Sequence, residues 1–213
     1  GCLVMTGVPF CHPCVPAAPE GWAADAGVGW GGDVAWLDEG HAGRRSVRAT
    51  NRARDWTGVS STRLPATPGQ RLTVSGWARS RDNQADTDKL FVRFFGTGGF
   101  IGQDGPSLPV GAAQWQHVHK QVTVPEGATE MDVSLQVWSK GGSADLDDVS
   151  LVAEGDARNL LANPGFERAG GEWRDLGHDG RYFAHDDFGI GTGGFGGPPI
   201  TDADLSAVFG NPL

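Results

Sequence analysis

The chain has 213 residues, 38% of them hydrophobic, and a formal net charge of −9. No basic stripe is present to neutralise phosphates, so nucleic acid is excluded as a partner. No apolar run approaches the ~20 residues of a membrane helix, and no membrane partner is expected.

Residues 1–21 are rich in Pro, Ala and Gly and read as an irregular N-terminal segment. They hold all three cysteines. Cys11 and Cys14 have C-x-x-C spacing, but no βαβ pattern follows. A local disulfide or two thiols is therefore expected rather than a redox site. Cys2 is open to lipidation or to a bond with another chain. Residues 3–10 lack the basic flank of a signal peptide, and the chain reads as a mature or excised form.

From Trp22 the pattern changes. The 34 glycines and 13 prolines cut the chain into short elements, which favours an all-β fold over a helical one. Strands are expected at 33–37, 46–49, 59–64, 71–78, 90–95, 115–124, 133–138 and 146–152. Turns such as Pro68-Gly69 separate them. About eight strands at such intervals predict an antiparallel jelly-roll β-sandwich over 22–153. Alternation puts Leu72, Val74, Val118, Val122, Val124, Val133, Leu135 and Val137 on the core side. It puts Thr73, Ser75, Trp77, His117, His119, Gln121, Gln136 and Trp138 on the other. At 159–167 the pattern restarts with Asn-Leu-Leu-Ala-Asn-Pro-Gly-Phe-Glu. Residues 154–213 are read as a linker plus a truncated second repeat, or alternatively as a tail that folds back or donates a strand.

Rings on polar faces point to sugars, which present flat CH faces rimmed by hydroxyls. Trp56 lies in a loop that no core position explains, and Trp77 and Trp138 lie on polar strand faces. Arg52, Arg79, Arg93, His119 and Gln136 are candidate polar partners. Asp147 and Asp148 are adjacent on one strand, so alternation points them to opposite faces, unlike the facing carboxylates of a glycosidase. One of them with backbone carbonyls suits calcium. The carboxylates Asp82, Asp86 and Asp88 lack the pattern of a calcium loop and read as a solvated loop. For His178, Asp179, His185, Asp186 and Asp187 a solvated Gly-rich segment is preferred over a metal site. No nucleophile-elbow, zinc-helix or P-loop pattern occurs, and no enzyme activity is expected.

Taken in order, His41-Ala42-Gly43, Ser46-Val47-Arg48, Trp56-Thr57-Gly58, Pro68-Gly69-Gln70, the run from Leu72 to Arg79, Trp115 and Asp147-Asp148-Val149-Ser150-Leu151 resemble carbohydrate-binding modules of the family 4/9/22 type. The resemblance covers about residues 20–153. It implies a galactose-binding-like jelly roll of the kind attached to secreted glycoside hydrolases or lyases. It also implies a structural calcium held by Asp147 or Asp148, by carbonyls of the 41–46 turn and by a glutamate of the first strand. Trp56 and the strand of Gln136 and Trp138 are implied to contact sugar. Such modules begin with Asn-Leu-x-x-Asn-x-x-Phe-Glu, yet here that signature follows the module and ends at Glu167.

The expectation is thus a secreted, non-catalytic binder of polysaccharide. Its candidate ligand contacts are Trp56, Trp77, Gln136, Trp138, Arg52 and His119, and its candidate calcium ligands are Asp147, Asp148 and Glu167. The alternative is a structural or adhesive module of an extracellular fibre or surface protein, self-associating through an exposed strand edge completed by 159–167. A fragment of a lyase or hydrolase is a third reading.

Overall fold

Residues 18–170, apart from Ala26 and Ala85, are described by the computed structural model. The cysteine motif and the His178–Asp187 set of candidate metal ligands lie outside the described residues. One sheet is ordered β1 (Trp22–Asp25), β4 (Thr57–Ser61), β10 (Glu130–Val137), β7 (Lys89–Gly96) and β8 (Gly99–Asp104), and the short β5 (Leu64–Pro65) also pairs with β10. The other is ordered β2 (Val34–Leu37), β3 (Ser46–Thr50), β11 (Ser143–Ala153), β6 (Arg71–Arg81) and β9 (Gln116–Thr123). All pairs are antiparallel, and no helix occurs among the described residues.

Period-two patterning builds the interior. Val133, Leu135 and Val137 of β10 and Leu72 and Val74 of β6 are fully buried between the sheets, which is what a strand with one core face produces. The expected jelly-roll β-sandwich is therefore present. Three strands escaped the sequence reading: β1, β5 and β8. The last is hidden in a glycine-rich stretch that reads as loop.

The two readings of 159–167 separate here. The segment folds back into the same sandwich and contributes Phe166 and Leu161 to the core, with Phe166 fully buried. The packed core thus includes residues beyond 153. The physical reason is a missing wall. Trp22 packs its ring against Phe166 at 4.7 Å and donates its indole N–H to the Asn163 carbonyl at 3.1 Å. Trp36 donates its own to the Phe166 carbonyl at 2.9 Å. Asn163 spends its side chain on the backbone, donating to Glu20 and Arg168 carbonyls and accepting from Arg168 N–H. The segment is irregular rather than a strand, since Asn163 and Phe166 take left-handed backbone angles, which asparagine tolerates better than most residues. Its end lies beside the start of the module: Gly170 donates to the Ala18 carbonyl at 2.6 Å.

Phe166→Ala should lower the unfolding free energy by about 3–5 kcal/mol, the usual cost of emptying a buried phenylalanine site. Denaturant unfolding measures it; a loss below ~1 kcal/mol would show that the segment is not part of the core.

Candidate functional site

Gln136 and Trp138, expected to contact ligand, lie at the end of β10, whose alternate residues form the outer face of the first sheet. Registers set the rows: Gln136 pairs with Gly58 and Lys89, Ser134 with Ser60 and Phe91, and Asp132 with Arg93, which in turn pairs with Gln103. Residues paired across antiparallel strands share a face, so these side chains make one continuous floor.

At one end of the floor, Trp56 and Trp138 stack with ring centroids 6.0 Å apart and planes 24° from parallel. Trp138 remains 39% exposed. Its indole N–H donates to Gln136 Oε1 at 3.1 Å, which fixes the ring's tilt. Gly58 makes room for Trp56, because a Cβ there would sit 3.1 Å from the indole and 2.1 Å from the Leu135 carbonyl oxygen. Two residues hold the flanking loops. Asp88, buried, accepts the backbone N–H groups of Trp138 and Ser139 on one oxygen at 2.7 and 2.9 Å. Asn51 donates to the Val137 carbonyl and accepts the Arg54 N–H, tying the Trp56 loop to the Trp138 turn. The solvated-loop reading of Asp88 is thereby corrected: the side chain is buried, and two backbone N–H groups replace water on one of its oxygens.

Toward the other end the floor is charged. Arg93 donates to Asp132 through Nε at 2.7 Å and Nη2 at 2.8 Å, to Asp25 at 2.6 Å and to Ser60 at 2.8 Å. Burial pushes the Asp132 carboxyl up in spite of this arginine. Burial alone would lower the Arg93 guanidinium, but its bonds to Asp132 and the nearby Asp25 outweigh that and raise it. Asp132, Ser60 and Asp25 were missed by the sequence reading, although polar residues alternating with Val133 and Leu135 marked the face.

Two of the remaining expected ligand residues lie elsewhere. Trp77 and His119 are on β6 and β9, so they occupy the outer face of the opposite sheet. His41 stacks on Trp77 with centroids 3.8 Å apart and planes 12° from parallel, and His117 leans on it at 5.4 Å. The neighbouring rings are also covered, Trp115 by Arg79 at 4.7 Å and Trp36 by Arg45 at 4.4 Å. Arg52 is exposed and pairs with Asp33 at 3.1 Å. Trp77 and His119 therefore do not join the Trp56–Trp138 face. Alternation separates core from surface within a strand but does not say which sheet the strand joins.

Asp147, Asp148 and Glu167 do converge on the loop between β2 and β3. Asp147 accepts the His41 N–H at 2.6 Å and the Asp148 N–H at 2.7 Å. Asp148 bonds His41 Nδ1 at 2.8 Å, and Glu167 accepts the N–H groups of Arg44 and Arg45 at 2.7 and 3.0 Å. Opposite facing of the two aspartates does not hold, because a bulge after Asp147 and the left-handed backbone of Asp148 break the alternation. Burial, against the pull of its two backbone donors and with the help of the Asp148 and Glu167 charges, raises the Asp147 carboxyl to about 6. The groups gathered here are all oxygen donors, the kind a hard cation takes: carboxylates and the Arg45 carbonyl crowd Gly40 and Gly43, where a Cβ would fall 2.5 Å from Arg45 O and 1.9 Å from Glu167 Oε1. Among the described residues no three His, Cys, Asp or Glu side chains close on one point, so carbonyls would have to complete any such shell.

No protein-family model matches the sequence, and no curated protein matches it. Solved structures do match. A xylan-binding domain of carbohydrate-binding module family 22 is 21% identical, with a TM-score of 0.50 over 65% of this chain and 90% of that one. The Clostridium thermocellum structure pairing a family 22 module with the catalytic module of endo-1,4-β-D-xylanase 10B, complexed with xylohexaose, is 19% identical. Its TM-score is 0.50, over 68% of this chain and 29% of that one. The enzymatically active domain of bacteriophage CBA120 tailspike protein 4 is 17% identical at a TM-score of 0.47, over 62% of this chain and 19% of that one. The likeness is one of fold: this chain carries the β-sandwich found in family 22 carbohydrate-binding modules.

Proposed function

We propose that the chain is a non-catalytic, extracellular module that binds a polysaccharide of the xylan or β-glucan type along the outer face of the first sheet. The observation that carries this reading is the Trp56–Trp138 pair beside a hydrogen-bonded polar floor. An exposed ring next to fixed amide, hydroxyl and guanidinium groups offers what a sugar needs, namely an apolar plate for its CH face and directional partners for its hydroxyls. Because Gln136, Ser134, Ser60, Asp25, Asp132 and Arg93 are already bonded to one another, little ordering is left to the ligand. The bound xylohexaose of the Clostridium structure makes xylan the first substrate to try. Asp25 and Asp132 are the floor's carboxylates and share one arginine. That arrangement serves to position a ligand, where glycoside hydrolysis needs one carboxyl free to act as acid.

Calcium belongs to the same proposal as a stabiliser of the rim, held by Asp147 or Asp148, Glu167 and carbonyls of the 41–46 turn. It would supply positive charge among carboxylates that otherwise repel.

Two measurements test these readings. Trp138→Ala and Trp56→Ala should each weaken retention on a xylan affinity gel by about tenfold or more, the scale of one lost aromatic contact; unchanged retention on xylan and β-glucan would refute the assigned face. The calcium reading predicts a pH-dependent melting temperature. Since the folded Asp147 carboxyl is raised to about 6, its contribution to stability is fully present below its unfolded pKa near ~4 and is lost as pH rises through ~6. Calcium should therefore raise the melting temperature more at pH 7.5 than at pH 5, and Glu167→Ala should abolish the increment. An increment that is the same at both pH values, or that survives the substitution, would remove calcium from this site.

A further inference from the structure

The outer face of the second sheet carries a feature that the xylan reading leaves unused. Arg48 of β3, Asp145 of β11 and Arg79 of β6 form one cross-strand row, and Arg81 pairs with Ser143 in the next but one. Together with residues 112–113 they line a shallow pocket holding about 180 Å³ of space, its open mouth included. Asp145 is nearly buried, at 4% side-chain exposure, and both its oxygens are filled. Arg48 reaches them through Nε at 2.6 Å and Nη2 at 2.8 Å, and Arg79 through Nε at 2.7 Å. Arg79 is fixed further by Glu39 and by the Trp115 ring beneath its guanidinium. The aspartate thus acts as an internal template that holds two guanidinium groups in place.

Each guanidinium has five N–H donors, and Asp145 with Glu39 takes two from each of the pair. The others remain for a ligand. Arg81 forms no ion pair, and the Ser143 hydroxyl no hydrogen bond, among the described residues. Three guanidinium groups facing two carboxylates leave a local positive charge in a chain whose net charge is −9. Arginine forks match the planar carboxylate, as the Arg48–Asp145 pair itself demonstrates.

Resting on the polysaccharide-binding role proposed above, we propose that this pocket binds the carboxylate of an acidic sugar unit, a uronic acid at a chain end or on a branch. The pocket is small and open, so it would take the carboxylate group and leave the sugar ring at its mouth. Lying on the sheet opposite Trp56 and Trp138, the pocket works independently of the neutral-sugar face. The two together would let one module hold two polysaccharide chains, or a backbone and an acidic branch.

The test is an NMR titration of the arginine side-chain N–H resonances of the full chain with glucuronate, glucose and inorganic sulfate. The proposal expects saturable shifts with glucuronate, none with glucose and weaker binding of sulfate. Arg81→Gln should weaken glucuronate about tenfold, the scale of one charge-assisted hydrogen bond, and Ser143→Ala should weaken it less. Trp138→Ala should leave it unchanged while reducing xylan retention. Absence of saturation, equal shifts with glucose, sulfate binding as tight as glucuronate, or full affinity in both pocket variants would each overturn the assignment. Loss of xylan binding alone would bear only on the other face.

Discussion

The alternation of β10 is the constraint on which the rest depends. Val133, Leu135 and Val137 point inward and are fully buried, and the residues between them build the floor of the outer face. A pleated strand cannot move one set without moving the other. The apolar set is locked by the second sheet, so Asp132, Ser134 and Gln136 are held in a fixed row by the packing of the core. Pairing with β4 and β7 extends that row sideways, and Arg93 ties its charged end together. Positioning of the candidate site is thus a consequence of core packing on the other side of the same strand.

Closure of the sandwich depends on the segment that follows β11. Two tryptophans donate their indole N–H groups to its carbonyls, and Phe166 fills the space between the sheets. Glu167, next in sequence, then falls on the amides of Arg44 and Arg45, so core burial also delivers a carboxylate to the rim where Asp147 and Asp148 lie. One residue step separates the hydrophobic anchor from the acidic one. The Asn-Leu-x-x-Asn-x-x-Phe-Glu run of residues 159–167 closes the module from its C-terminal side. The adjacency of Ala18 and Gly170 shows why this is geometrically open: the two ends of the described module lie together.

Much of this was legible in the residues, and the failures have identifiable causes. Regular alternation exposed β6, β9, β10 and β11 and the polar character of Gln136 and Trp138. It did not reveal that Trp77 and His119 belong to the other sheet, because strand order is set by long-range pairing that period-two patterning does not encode. Asp148 defeated the facing argument through a bulge, a local break in the very periodicity used to place it. Asp88 read as loop solvent because its partners are backbone amides 50 residues away, and no side-chain pattern announces those. β8 was lost among glycines.

The two outer faces differ in what covers their rings. On the second sheet His41, Arg79 and Arg45 already lie over Trp77, Trp115 and Trp36; on the first, Trp56 and Trp138 stack only on each other among the described residues, and Trp138 stays exposed. Ring availability, more than the number of tryptophans, is therefore what singles out the proposed sugar face. The most direct test is the set of indole N–H resonances in a nitrogen-15-labelled chain titrated with xylohexaose. The account predicts that Trp56 and Trp138 shift while Trp77 and Trp115 stay in place. Movement of Trp77 and Trp115 with Trp138 unmoved would contradict it.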